Sequence, residues 1–143
     1  MLNYSNTITE EKSYSGLQMK EIKPVMKLII RGKKREFLSA IGKSLNLLLP
    51  TEANTSSRSD KLTALWLSPD EWMVYSNETI NSESNEYETE NLLNKNISKT
   101  NLGAVTNVTD QFVLINIKGD KIFDLFETGS PFNFSDFRYK RGS

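Results

Sequence analysis

The sequence predicts an α+β fold, and three observations predict it. Short apolar runs rich in β-branched and aromatic residues recur at 25–31, 62–67, 71–75, 104–109 and 112–117, and most are flanked by turn-forming residues, as strands are. Between some of them the apolar period lengthens from two residues to three and four, the spacing of one helix face. The resulting order is β-α-β-β-α-β followed by β-α, a split βαβ (ferredoxin-like) unit with the beginning of a second, partial one.

Residues 1–21 are polar with scattered Tyr4, Ile8, Tyr14 and Leu17 and sustain no period, so they read as a poorly ordered N-terminal arm. A single domain then spans 22–143. Pro24 and Gly32 bound the first strand. From Lys33 onwards Phe37, Leu38, Ile41, Leu45 and Leu48 follow helical spacing until Pro50 terminates it. Residues 51–61 hold one alanine and no larger apolar group, which predicts a loop. The runs at 62–67 and 71–75 are separated by Ser68, Pro69 and Asp70 and predict a tight hairpin. A weaker helix is expected over 84–98 with Tyr87, Leu92, Leu93 and Ile97 facing inwards, and then two strands at 104–109 and 112–117. Gly119 and Asp120 open a third helix, with Asp120 as N-cap, Ile122, Phe123, Leu125 and Phe126 on its buried face, and Gly129 to Pro131 as its stop.

Composition narrows the chemistry. At 143 residues, with 37% apolar and 25% charged side chains, the chain suits one globular domain. Lys plus Arg and Asp plus Glu balance at 18 each, so no net field draws in nucleic acid. There is no cysteine and no histidine. Thiolate and imidazole metal sites go with them, as does any Ser-His or Cys-His nucleophile. The lack of cysteine suits a reducing cytoplasm, the expected location. No signal peptide or run of membrane-spanning length is present, and no membrane partner is expected.

Individual motifs add little catalytic promise. Gly42-Lys43-Ser44 has the ending of a phosphate-binding loop, but Phe37 stands where that motif needs glycine, and the triplet falls inside a predicted helix. Asp70 and Glu71 are neighbours on a strand edge and point apart, whereas an acid–base pair must converge. Gly32-Lys33-Lys34-Arg35 places three cations at a helix start, where they oppose the macrodipole; the turn reads as a solvated basic surface or one that invites an acidic partner. Trp66 and Trp72 lie on the two hairpin strands, suited to cross-strand packing or to partner contact. Phe132, Phe134, Phe137 and Tyr139 follow the last predicted helix with nothing to cover them, and exposed aromatics of this kind mark interfaces.

Leu65-Trp66-Leu67-Ser68-Pro69-Asp70-Glu71-Trp72-Met73-Val74 resembles the LWLGPDEWL-type segment of the gamma subunit family of heterotetrameric sarcosine oxidase. Residues 103–111 resemble the family's GAVVDVSDR-like strand, with Gln111 in place of arginine. Ser130-Pro131-Phe132-Asn133-Phe134 stands where a Cys-Pro-Leu-Asp-Leu-like stretch is usual, with Ser130 for the cysteine. The resemblance covers about 60–143, is weaker over 20–50, and is undetectable in the first twenty residues.

The resemblance implies that 22–143 is a gamma-like domain akin to part of the aminomethyltransferase, folate-binding fold, and C-terminally truncated, since the family normally continues further. It implies a complex that oxidises sarcosine to glycine, with the one-carbon unit leaving as formaldehyde or passing to tetrahydrofolate. FAD, FMN, NAD and tetrahydrofolate are then expected in partner alpha and beta (flavoprotein) subunits, with no cofactor, metal or catalytic residue in this chain. The expected role is a non-catalytic subunit whose candidate partner contacts are Trp66, Trp72, Phe132, Phe134, Phe137 and Tyr139. The alternatives are a folate-binding or one-carbon transfer module and a stand-alone ferredoxin-like domain that self-associates.

Overall fold

A computed structural model describes residues 5–8, 11–80, 87–97 and 99–134. In chain order its elements are β1 (Lys12–Tyr14), β2 (Leu17–Glu21), β3 (Lys27–Gly32), α1 (Arg35–Leu45), β4 (Ser56–Arg58) and β5 (Leu62–Ser68). They continue with β6 (Glu71–Ser76), α2 (Glu88–Ile97), β7 (Gly103–Asn107), β8 (Ile115–Lys118) and α3 (Ile122–Gly129). Two antiparallel sheets result, one ordered β4-β5-β6-β3-β7 and the other β1-β2-β8. Contacts divide the chain into two compact units, the first from Met1–Lys23 and Val113–Arg141, the second containing Pro24–Phe112.

The second unit holds the core. Register places Ile30 opposite both Trp72 and Val105, Leu28 opposite Val74, and Val74 opposite Ala64, so these side chains share one sheet face. Onto that face pack Phe37, Ile41 and Leu45 of α1 and Leu93 and Ile97 of α2. The three-and-four-residue spacing in the sequence is thus the stripe that meets the sheet. Gly32 and Gly103 lie opposite each other on β3 and β7, and a Cβ on either would overlap the ring of Phe37. Their lack of a side chain is the seat for that ring.

Several expectations are corrected. Helix α1 stops at Leu45, short of Pro50, because Asn46 takes a left-handed conformation (φ 48°) and the Leu47 N–H donates to the Gly42 carbonyl at 3.2 Å. The expected loop at 51–61 contains the short edge strand β4, whose backbone pairs with β5 although its side chains are polar. In α2, Leu93 and Ile97 are buried as expected, but Leu92 and, just before the helix, Tyr87 are exposed.

The first unit departs furthest from expectation. Residues 12–21, read as part of an arm, form β1 and β2, joined through Ser15 and Gly16, the latter at φ +78°. β2 then pairs with β8, so β8 leaves the larger sheet that its sequence neighbour β7 joins. The boundaries consequently fall at Lys23/Pro24 and Phe112/Val113, and not at residue 21 alone. Helix α3 is capped by Lys121 without a side-chain bond, not by Asp120, and none of its residues is buried. A three-stranded sheet and one helix offer too small a layer to enclose four large apolar side chains.

Candidate functional site

The hairpin β5–β6 brings the two tryptophans together as cross-strand partners. Their roles separate there. Trp72 is 2% exposed, and its indole N–H donates to the Pro50 carbonyl at 2.7 Å, so its ring and its one polar group are both satisfied internally. Its expected use as a partner contact is therefore corrected to core packing. Trp66 is half-buried, beside an irregularity in register between Trp66 and Ser68. Asp70 in the connecting turn accepts from the Ser68 hydroxyl at 2.9 Å and lies 3.5 Å from Lys33 Nζ and 3.9 Å from Arg31 Nε. The Ser68 hydrogen bond, aided by these two cations, holds its carboxyl below the usual carboxylate value.

The first unit carries the aromatic surface. Phe134 is its hub: its ring stacks on Phe126 at 5.5 Å, meets Phe132 edge-on at 5.3 Å and lies 6.3 Å from Phe123. The stretch after α3 therefore folds back on the helix that was expected to leave it uncovered. The packing is partial, since Phe126 and Phe132 remain 38% and 37% exposed, with Leu125 beside Phe126 in sequence also at 38%. Two phenylalanines of the helix and two of the stretch after it form one cluster. Phe137 and Tyr139 lie outside the described residues.

One polar residue escaped the sequence reading. Lys27 is 2% exposed in β3, and its Nζ donates to the carbonyls of Val25 and Thr109, each at 3.0 Å. Its backbone N–H donates to Thr109 Oγ1 at 3.1 Å and its carbonyl accepts from the Val108 N–H at 2.9 Å. Burial lowers its pKa, and the Asp110 carboxylate opposes that shift. The signal was a lone cation inside an apolar run, which has to find acceptors when the strand is buried. Close by, Tyr87, Asn107, Thr109, Asp110 and Gln111 line a shallow cavity of about 290 Å³. The Gly42-Lys43-Ser44 triplet lies in α1, where the Ser44 hydroxyl donates to the Ala40 carbonyl and accepts from the Asn96 amide, each at 2.7 Å. Among the described residues no three Asp or Glu side chains gather as a metal site, and no helix is long and apolar enough to cross a membrane.

Comparison with known proteins agrees with this architecture. Residues 32–141 match the family model described as sarcosine oxidase, gamma subunit family. No curated protein sequence matches the chain. A chain in the solved structure of heterotetrameric sarcosine oxidase from Corynebacterium sp. U-96, in complex with pyrrole 2-carboxylate, superposes with a TM-score of 0.73 at 14% sequence identity. The match covers 87% of the present chain and 60% of that one. At this identity the likeness is one of fold.

Proposed function

Because the chain belongs to the sarcosine oxidase gamma subunit family, we propose that it is a non-catalytic gamma subunit of a heterotetrameric sarcosine oxidase. In this reading it assembles with cytoplasmic alpha and beta flavoprotein subunits that carry FAD, FMN, NAD and tetrahydrofolate. The complex would convert sarcosine to glycine and release the one-carbon unit as formaldehyde or pass it to tetrahydrofolate. Support for a non-catalytic chain comes from its residues. Without histidine or cysteine it lacks the usual nucleophile and base, and none of its seven glycines falls in a G-x-G pattern that could cradle a dinucleotide pyrophosphate.

The element order β3-α1-β5-β6-α2-β7 with strand order β5-β6-β3-β7 supports a ferredoxin-like description of the second unit. Kinship to the folate-binding fold belongs to the same proposal.

The observation that carries the docking role is α3: a helix with no buried residue, whose Phe126 joins Phe132 and Phe134 in a half-open aromatic cluster. Apolar aromatic surface of this kind gains most when a partner removes it from water. Phe132 and Phe134 are the contacts we favour, Phe137 and Tyr139 extend the same stretch, and Trp66 is a secondary contact.

Co-expression with the alpha and beta subunits tests this. The chain should co-elute with them on size exclusion, and Phe126→Ser with Phe132→Ser should move it to the free fraction while its far-ultraviolet circular dichroism stays unchanged. A wild-type chain that remains free beside intact large subunits would overturn the reading.

A further inference from the structure

The larger sheet treats its two edges differently. At one edge β4 is only three residues long, polar, and carries Arg58, features that discourage a further strand. At the other edge β7 runs from Gly103 to Asn107 with an unbroken register against β3. Residues 100–109 contain no charged side chain and no proline, so none of the usual devices guards this edge. Gly103, Ala104 and Thr106 are exposed.

Backbone geometry fixes what the edge offers. The Val108 N–H donates to the Lys27 carbonyl at 2.9 Å, so by alternation Thr106 and Ala104 also turn their backbone groups towards β3. Gly103, Val105 and Asn107 turn theirs outwards, and among the described residues these N–H and C=O groups have no partner. The outward groups are spaced evenly about Val105. An antiparallel copy of the same strand therefore matches them, with Val105 opposite its counterpart and each Gly103 opposite the other Asn107, in about six backbone hydrogen bonds.

We infer that β7 pairs with β7 of a second copy of this chain, antiparallel about a two-fold axis at Val105, which joins two five-stranded sheets into one. The side chains suit that register. Ala104 meets Thr106 of the other copy on the face away from Val105 and the core, and both are small and uncharged. The flanks are complementary as well. Glu90 accepts from the Asn107 amide and Asp110 follows the strand at that end, whereas Lys99 precedes Gly103 at the other. Lys27, the cation nearest Asn107, is buried and turned towards carbonyls. The two-fold sets the acidic flank of each copy against the basic flank of the other. This edge and the aromatic cluster belong to different units, so the inference does not rest on the proposed docking role.

The test uses the full chain by itself, followed by sedimentation velocity from about 1 to about 100 μM, where it should pass from monomer to dimer. Because Ala104 and Thr106 are exposed, their variants should keep the wild-type far-ultraviolet circular dichroism. A104K/T106K places like charges opposite each other across the two-fold and should weaken the dimer about tenfold or more. A104K/T106E places opposite charges there and should stay within about threefold of the wild type. F126S/F132S should dimerise as the wild type does. A chain that stays monomeric over the whole range overturns the inference, as does a dimer that A104K/T106K leaves intact or that A104K/T106E loses equally. A dimer lost in F126S/F132S would move the contact to the aromatic surface and overturn it too. So would a monomeric wild type whose co-elution with the large subunits is abolished by A104K/T106K, which would give the edge to a partner's strand. The large subunits are absent from the sedimentation assay, so its outcome and that of the co-expression test are read separately.

Discussion

A lysine in an apolar strand must either find acceptors or give up its proton. Lys27 finds two carbonyls, and burial still pulls its pKa below the ordinary value of 10.5. Between the folded and unfolded values the unfolded chain binds more protons, so stability rises with pH across that alkaline window. In Lys27→Met that part of the rise should vanish; urea unfolding at a series of pH values reads it, and parallel profiles would refute it. Asp70 has the same sign of pH dependence for a different reason, since the fold favours its charged form. Its carboxyl is held below 3.8 by Ser68, Lys33 and Arg31, so its contribution is present above that value and lost as pH falls through the folded one. Asp70→Asn should therefore flatten the acid limb of the stability profile below about pH 4, measured by acid titration of the tryptophan fluorescence.

Helix α1 is well seated on its inner face and poorly capped at its start. Its inner face, Phe37, Ile41 and Leu45, is fully committed to the core, and Phe37 occupies space that Gly32 and Gly103 leave open. Its N-cap is Lys34, where an acid or a hydroxyl would suit the helix better, and Arg35 follows it before Glu36, the acid of the first turn. Lys34→Asp supplies both a cap and a favourable charge, and should stabilise the chain by about 1 kcal/mol. Thermal melting reads that gain. Helix α3 differs, because none of its residues is buried and its Phe123 and Phe126 meet only the half-open cluster around Phe134.

The whole molecule divides between a sheet with two helices over a closed core and a smaller unit drawn from Met1–Lys23 and Val113–Arg141. Within the smaller unit, Gly119 is at φ +140° and faces the Gly16 carbonyl so closely that a Cβ would overlap it. Gly119→Ala should destabilise that unit by about 2 kcal/mol through backbone strain and overlap. Hydrogen exchange should then accelerate first in β2 and β8, while β3, β5 and β6 keep their protection. Uniform acceleration across both sheets would show that the two units open together.

Periodicity alone was enough for β3, α1, the β5–β6 hairpin, the Leu93 and Ile97 face of α2, and β7, because each pattern repeats over enough residues to distinguish a period of two from one of three and four. The absent histidine and cysteine likewise bounded the chemistry before any fold was known. Other features needed the tertiary structure. The strands β1 and β4 are short and polar, and become strands only because a neighbour supplies hydrogen bonds. The Ser15-Gly16 turn, with Leu17 and Met19 alternating after it, was the available hint of the first hairpin. Which sheet β8 joins is a long-range choice that no local pattern encodes, and it separates the two units. The same holds for the aromatics. Sequence offered Trp66 and Trp72 either to the core or to a partner and left Phe132 and Phe134 uncovered, and packing then buried Trp72 against Pro50 while leaving Phe132 half-open beside Phe134. A residue's type states how much it gains from leaving water; only the surrounding layers decide whether this chain or a partner provides that shelter.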